Sequence, residues 1–126
     1  MRTIHTPHAP DPRGHYSQAI VHNGTVYLAG QLASDPNDPD APPPADPGEQ
    51  TRLIFRNIAR ILEEAGSSLD RLLQVTIYVS DIAAWPAVNE AFAEALGEHR
   101  PTRAIVPVGA LPRGREVEIV AIAAAD

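Results

Sequence analysis

Residues 17–30 of the chain read SQAIVHNGTVYLAG, and this stretch sets the start of the fold. Residues 17–21 and 25–30 are runs of strand-forming residues, and His22-Asn23-Gly24 separates them. An Asn-Gly step between two such runs is a strong hairpin signal, because a type I′ turn requires positive φ at both of its central residues. The sequence therefore predicts two antiparallel strands here. Residues 1–15, which carry three prolines and no periodicity, are predicted to form an extended arm before them.

Two helices are predicted downstream. Residues 50–65 place apolar side chains at helical spacing, and Gly66 follows at the usual position of a C-terminal cap. Asp81 is expected to cap a second helix, in which Pro86 is tolerated near the start and Gly97 ends the helix. The predicted core stripe of the second helix is Ile82, Trp85, Val88, Phe92 and Leu96.

Three more strands complete the chain. Residues 72–80 are rich in β-branched residues and are predicted to be covered on both faces. Residues 103–108 and 116–123 flank a Gly- and Pro-containing loop and are expected to pair as a second hairpin. The order β-β-α-β-α-β-β predicts an α+β fold, with a mixed sheet and both helices layered on one face. Its 126 residues are predicted to form a single domain, residues 1–126.

The last strand is apolar on both of its faces, although the helices can cover only one. Val117, Ile119 and Ala121 share one parity, while Glu118 shares the other with Val120 and Ile122. A second apolar face needs a cover, and the simplest cover is another copy of the chain. We therefore expect a homo-oligomer with ligand sites in clefts between its subunits.

Residues 35–48 hold six prolines and four aspartates, which do not suit a strand or a helix. A loop of this length is either a functional cover or a solvated acidic segment, and the sequence leaves both interpretations open.

Composition excludes several kinds of chemistry. Cysteine is absent, so disulfides, thiolate catalysis and cysteine-ligated metal centres are excluded. All ten basic residues are arginines, which excludes a lysine Schiff base. A net charge of −6 disfavours nucleic acid as a partner. No apolar run is long enough to span a membrane and residues 1–13 lack a signal-peptide pattern, so we expect a cytoplasmic protein that does not bind membranes.

The candidate chemistry lies on the last two strands. If they pair as a hairpin centred between Leu111 and Pro112, Ile105 faces Glu118 and Arg103 is its diagonal neighbour on the same side of the sheet. One interpretation is an ordinary cross-strand ion pair. The other is a site in which Arg103 binds a substrate carboxylate in a bidentate manner and Glu118 handles a proton.

Three further residues have a functional and an ordinary interpretation. Tyr16 either walls a small pocket or is a half-buried aromatic. Asn89 interrupts the apolar side of the second helix and needs a partner, for which a local backbone bond would suffice. Gly30 indicates a bulge or a close backbone approach. His5 and His8 have metal-like spacing but no evident further ligands, so no metal site is predicted.

Taken together, these residues resemble the Rid family of enamine/imine deaminases, also called the YjgF family, over nearly the whole chain. The matching segments are Tyr16-Ser17-Gln18-Ala19, Ala29-Gly30-Gln31, Gln50-Thr51 with Asn57, Glu64-Ala65-Gly66, residues 75–81 (VTIYVSD), Val88-Asn89, Pro101-Thr102-Arg103, Leu111-Pro112 and residues 117–123 (VEIVAIA).

The resemblance implies a chorismate-mutase-like fold and a homotrimer with three inter-subunit clefts, without metal or organic cofactor. It implies hydrolysis of reactive 2-aminoacrylate or 2-iminobutyrate type intermediates to 2-keto acids and ammonia. Arg103 stands at the family's carboxylate-binding arginine and Glu118 at the acid that positions water. Tyr16, Gly30, Asn89 and, through its backbone, Ile105 stand at substrate-binding positions.

Three departures from the family pattern bear on substrate choice. Ala29 stands where a serine is common, Ile105 where a cysteine is frequent, and residues 35–48 differ from the usual loop. The departures leave room for a pathway-specific deaminase that acts on a larger imine. A non-enzymatic binder of keto acids, using the same Arg103 site, is the main alternative, and a ribonuclease is disfavoured by the acidic charge and the missing lysines.

Overall fold

A computed structural model describes residues 1–125 of the chain, and it contains one mixed sheet of seven strands with two α-helices. The elements in chain order are β1 (Arg2–Ile4), β2 (Ala19–His22), β3 (Thr25–Leu28), β4 (Gln31–Leu32), α1 (Pro47–Glu64), β5 (Leu72–Val79), α2 (Trp85–Leu96), β6 (Thr102–Pro107) and β7 (Val117–Ala124). Within residues 1–125, neither helix combines the length and hydrophobicity needed to cross a bilayer.

The predicted first hairpin is confirmed. Strands β2 and β3 pair antiparallel with His22 opposite Thr25, so the connection is the two-residue turn Asn23-Gly24. Both turn residues have positive φ, 51° for Asn23 and 74° for Gly24, as a type I′ turn requires. The strands are shorter than predicted, because Ala29 and Gly30 lie between β3 and β4 rather than within a strand.

Within the predicted extended arm, residues 2–4 form a strand that the sequence did not indicate, β1, which pairs antiparallel with β2. The buried side chain of Gln18 holds the rest of the arm. Its Oε1 accepts from the Thr6 backbone N–H at 2.7 Å, and its Nε2 donates to the Thr6 and Pro10 carbonyl oxygens at 3.1 and 3.0 Å. These contacts join distant segments, so no local pattern in residues 1–15 indicates them.

Helix α1 begins three residues earlier than predicted. Asp46 caps it by accepting from the Gly48 N–H at 3.0 Å, and Pro47 occupies the first turn, where a missing N–H is harmless. The apolar stripe of this helix is buried as predicted, including Ile54, Ile58 and Ile61. The Pro-rich segment therefore ends in a helix cap.

Helix α2 follows a short 3-10 turn, Ile82–Ala84, and it is this turn that Asp81 caps. The prediction that Ile82 and Trp85 belong to the core is wrong, since they are 54% and 37% exposed. Val88, Phe92 and Leu96 are buried as predicted. The extra turn places the start of the helix beyond the core, so the buried stripe begins at Val88.

The last two strands do not form a hairpin. Strand β6 pairs parallel with β5, joined by the crossover helix α2, whereas β7 pairs antiparallel with β5 on its other side. The strand order is β1-β2-β3-β7-β5-β6, with β4 also paired to β7. The same pattern of strands in the sequence is compatible with a hairpin and with a β-α-β crossover. Here the crossover is formed, and β7 lies near the middle of the sheet.

The two faces of the sheet differ as predicted. Along β7, Val117, Ile119, Ala121 and Ala123 are almost fully buried in the core that includes both helices. The alternate residues are only half buried, and they lie on the face that the helices leave uncovered. Other residues on the uncovered face include Tyr27, Thr76 and Tyr78, through their register with Ile122, Val120 and Glu118.

Candidate active site

Glu118 is half buried on the uncovered face of the sheet. Its neighbours across the strands are Tyr78 of β5 and Leu32 of β4. The carboxylate lies against the backbone of Gly30, where a Cβ atom would be 2.6 Å from Oε2 and 3.2 Å from Cδ. The close approach predicted at Gly30 is therefore an approach by Glu118. Burial raises the pKa of Glu118, since it disfavours the charged form of the carboxyl group.

Arg103 lies in a different place, between the edge strand β6 and helix α2. Its Nη1 donates to Asn89 Oδ1 at 2.9 Å. The guanidinium carbon lies 4.9 Å from the ring centroid of Trp85 and 4.8 Å from that of Phe92. No carboxylate of residues 1–125 lies within ion-pair distance of Arg103, whose remaining N–H groups can bind an anionic group from outside the chain.

The prediction that Arg103 is a diagonal neighbour of Glu118 is wrong. Arg103 is in register with Val75 and Glu118 with Tyr78, and β5 lies between the two strands. Their Cα atoms are thus separated by two strand spacings and three residues, about 14 Å. Residues paired across adjacent strands point to the same face of the sheet, and successive residues of one strand alternate between faces. Arg103, paired with Val75, therefore lies on the helix side, and Glu118, paired with Tyr78, lies on the opposite side. This geometry excludes the intrachain ion pair as well.

The other predicted residues divide between these two places. Asn89, which needed a partner, accepts from Arg103 and has no backbone bond among the described residues. Ile105 pairs with Ile77, not with Glu118, and shares the helix-side face with Arg103. Tyr16 is 54% exposed, and its hydroxyl accepts from the Arg13 N–H at 3.4 Å. The predicted residues therefore form two groups, one around Arg103 and one around Glu118, and the two groups lie apart within a single chain.

We call the group formed by Arg103, Asn89, Trp85 and Phe92 the arginine slot. We call the group formed by Glu118, Gly30 and Tyr16 the glutamate recess. Both are open: Asn89, Phe92 and Arg103 border a cavity of about 480 Å³, and Tyr16 and Gly30 border one of about 210 Å³. Over residues 1–125, no three His, Asp or Glu side chains cluster in a way that would hold a metal ion.

Sequence reasoning assigned Trp85 and Phe92 only to the core and missed their contact with Arg103. The available signal was their position around Asn89 on one helix: Trp85 is four residues before the amide and Phe92 three residues after it. Residues at these spacings share a helix face. A polar amide between two aromatic rings on one face forms a natural seat for a guanidinium.

Comparisons with known proteins agree on one family. The family model described as Endoribonuclease L-PSP matches residues 6–125. A RutC family protein from Pyrococcus abyssi is 41% identical over 95% of this chain and 94% of its own length. A 2-iminobutanoate/2-iminopropanoate deaminase from Capra hircus is 37% identical over 97% of this chain and 88% of its own length. The crystal structure of RidA from the Antarctic bacterium Psychrobacter sp. PAMC 21119 superimposes with a TM-score of 0.93 at 38% identity, covering 98% of this chain and 99% of that one.

Proposed function

The chain belongs to the Rid family, also called YjgF or L-PSP, and from that membership we propose that it is an enamine/imine deaminase. The substrates are reactive 2-imino acids of the 2-aminoacrylate and 2-iminobutanoate type, and the products are 2-keto acids and ammonia. The observation that carries the proposal is Glu118, a carboxyl group with a raised pKa held against Gly30, which borders an open cavity. A carboxyl group with a raised pKa suits proton transfer.

A complete site in this proposal is built from two copies of the chain. The arginine slot lies at the β6 edge, and the glutamate recess lies on the uncovered face, so one copy presents its edge to the face of the next. Such an interface joins two different surfaces and is satisfied for every copy only in a closed ring. A homotrimer with three inter-subunit sites is the ring that the family resemblance implies. The half-buried apolar residues of the uncovered face support this packing.

The proposed mechanism uses side chains and water. Arg103 of one copy binds the substrate carboxylate through paired N–H donors, while Asn89 and the two aromatic rings fix the guanidinium plane. Glu118 of the neighbouring copy orients a water molecule and takes its proton as the oxygen adds to the imine carbon. Glu118 then returns this proton to the carbinolamine nitrogen, the C–N bond breaks to release ammonia, and the hydroxyl proton is lost to water as the C=O bond of the keto acid forms. Water is the only co-reactant.

Tyr16, Gly30 and Ile105 have supporting roles in the proposal. Gly30 leaves the space that the Glu118 carboxylate occupies. The Tyr16 ring borders the same cavity as Gly30 and walls the recess. Ile105 lies two residues from Arg103 on the same face, and its backbone lines the substrate position.

A second candidate function, binding of keto acids without turnover, is favoured by one observation: the arginine slot is complete within a single chain. An anion site of this kind has no need of Glu118. The substitution Glu118→Gln separates the two functions, because a binder never shows turnover and keeps its affinity for 2-ketobutyrate, whereas an enzyme loses the turnover that it had.

Ribonuclease activity, which the family model's description names, is disfavoured for this chain by the net charge of −6 and the absence of lysine. RNA cleavage that persists through purification and disappears in Arg103→Ala would reverse this conclusion.

The proposed function is tested by a coupled assay. Threonine dehydratase generates 2-iminobutanoate from threonine, and the release of keto acid is timed with and without the chain. We expect faster release in proportion to the amount of chain added. Unchanged release at every concentration would overturn the deaminase proposal.

A further inference from the structure

The cavity that borders the glutamate recess is also lined by arginines. Its lining includes Tyr16, Gly30 and Leu32 together with Arg13 and Arg113. Leu32 is the residue directly opposite Glu118 in the sheet. A ligand whose reacting carbon lies beside Glu118 therefore has about 210 Å³ in which to place a further group.

A third arginine, Arg115, lies behind this cavity and forms no ion pair with an acidic residue among residues 1–125. Arg115 is only 4% exposed. Its Nη1 donates to the Arg113 carbonyl oxygen at 3.0 Å and its Nη2 to Ser34 Oγ at 3.1 Å, while Nε has no hydrogen-bond partner in the described part of the chain. Burial and the nearby charges of Arg113 and Arg13 lower the pKa of Arg115, so the three guanidinium groups act on one another electrostatically.

The acidic residues near the cavity neutralise little of this charge. Asp40 accepts from Arg13 Nη2 at 3.0 Å, but its side chain is 89% exposed. Asp11 lies on the cavity lining, yet its side chain is 80% exposed and contacts His5. Exposed ion pairs contribute little, because water screens them. An uncompensated buried guanidinium, in contrast, is costly, and a bound anion would offset that cost.

Ser34 adds a directed donor to the cavity. Its side chain is 6% exposed and lies on the lining. Because Ser34 Oγ accepts from Arg115, its own O–H remains available to donate. The lining thus combines Arg13, Arg113 and Ser34 with Gly30, against which the Glu118 carboxylate lies.

We propose that this cavity binds the distal carboxylate of a 2-imino dicarboxylic acid, so that the chain acts on imines with an anionic side chain. The inference rests on the proposed deaminase function and specifies its substrate class. When an imine formed from a standard amino acid has an anionic side chain, the charged group of that side chain is a carboxylate. The α-carboxylate lies in the arginine slot of a neighbouring copy, the imine carbon lies beside Glu118, and the side chain reaches Arg13 and Arg113.

Binding is measured first, by calorimetry with two stable keto acids of equal chain length. 2-Oxoglutarate carries the second carboxylate and 2-oxopentanoate does not. Since a hydrogen bond to a charged group contributes about 1.5–3 kcal/mol, we expect 2-oxoglutarate to bind at least about tenfold more tightly. Equal affinity for the two keto acids would overturn the inference.

Substitution then locates the preference. In the double variant Arg13→Gln, Arg113→Gln, the affinity ratio of the two keto acids is expected to fall close to one. Arg56→Gln removes an exposed arginine of α1 and is the matched control, for which the ratio stays as in the unmodified chain. A double variant that keeps the full preference would show that the second carboxylate binds elsewhere. Arg115 is not substituted, because it is buried and its replacement would test whether the chain folds, not where the second carboxylate binds.

Turnover separates this inference from the proposed function. Amino-acid oxidases generate the imines of glutamate and of glutamine, which have nearly the same size but differ in charge. Preference for the glutamate imine supports both proposals. Equal turnover of the two imines keeps the deaminase and overturns the carboxylate subsite. Tighter binding of 2-oxoglutarate with no turnover of any imine keeps the subsite and overturns the deaminase.

Discussion

The arginine slot and the glutamate recess are built in different ways. The arginine slot belongs to one β-α-β unit, in which α2 and the parallel strand β6 lie close together in the sequence. Direct contacts hold the Arg103 guanidinium in position. The recess joins residues 16, 30 and 118, and the environment of its carboxyl group is set by burial and by the missing side chain at Gly30. The arginine slot orients the permanent charge of Arg103, whereas the glutamate recess shifts the protonation equilibrium of Glu118.

The difference explains why the proposed catalytic site is divided into two separate parts within a single chain. The proposed hydrolysis needs an oriented cation and an acid–base group with a shifted pKa, both close to the imine carbon of the substrate. Strand β5 keeps the two regions on opposite faces of the sheet, about 14 Å apart by strand geometry. Substitutions in the two regions should therefore affect different measured quantities.

The largest effect is expected in the recess, from Glu118→Gln. The amide keeps the shape of the carboxyl group but cannot take a proton, and general acid–base catalysis contributes about 10²- to 10⁴-fold. We expect kcat for 2-iminobutanoate to fall by at least about 100-fold. Affinity for 2-ketobutyrate, measured by calorimetry, should change far less. A variant with unimpaired kcat would remove Glu118 from the mechanism.

The corresponding change in the slot is Arg103→Lys, which keeps the charge but loses the planar fork and its stacking on Trp85. Loss of the bidentate contact should raise KM by about 10- to 100-fold with a smaller change in kcat. Steady-state kinetics from the coupled assay separate the two constants. A fall in kcat equal to that of Glu118→Gln, at unaltered KM, would contradict the division of roles.

A smaller effect is expected from Gly30→Ala, which tests the close approach itself. The added Cβ would lie 2.6 Å from Glu118 Oε2, so the carboxylate must move. We expect turnover to fall about tenfold, as is typical for a displaced catalytic group. Gly109→Ala is the matched control, since a Cβ there meets no atom within 4 Å and Gly109 lacks positive φ. Equal turnover in both variants would show that the recess tolerates displacement of Glu118.

The smallest effect is on stability and depends on pH. Burial raises the pKa of Glu118 in the folded chain. The stability contribution of its protonated form is therefore complete below the unfolded pKa of about 4.3 and is lost as the pH rises through the folded pKa. Glu118→Gln cannot ionise and avoids this loss, so its Tm should rise relative to that of the unmodified chain as the pH is raised from about 4 to about 7.

Thermal unfolding followed by circular dichroism measures this difference in Tm. Asp70→Asn is an opposite control, because the contact with Ser68 lowers the pKa of Asp70 and the substitution should cost more stability at neutral than at acid pH. A constant difference between Glu118→Gln and the unmodified chain across this pH range would show that burial does not disfavour the charged form.

Local patterns predicted those parts of the fold that depend on near neighbours. The turn at Asn23-Gly24 and the buried stripe of α1 follow from backbone preference and periodicity alone. The pairing of β6 and β7 could not be predicted in this way, because residues 103–108 fit a hairpin and a parallel crossover equally well. Only tertiary packing, with β5 inserted between the two strands, decides between them.

The candidate site shows the same limit. The family resemblance named Arg103, Glu118, Gly30 and Asn89 as residues of one site, and in the structure they lie in two groups, Arg103 with Asn89 and Glu118 with Gly30. The expected hairpin register had placed Arg103 and Glu118 together in one chain, which the strand pairing contradicts. Trp85 was missed as a contact of Arg103 because its helical spacing was assigned to the core stripe, whereas the 3-10 turn before α2 brings the ring out of the core.

The position of β7 has a consequence for synthesis on the ribosome. This strand, residues 117–124, pairs with β3, β4 and β5, so most of the sheet is held together by a segment that is translated after all of its partners. The first 110 or so residues emerge with two separate strand groups whose edges are unpaired. Nascent chains that stall before β7 should accordingly be recognised by chaperones or degraded, and folding should follow translation of this strand.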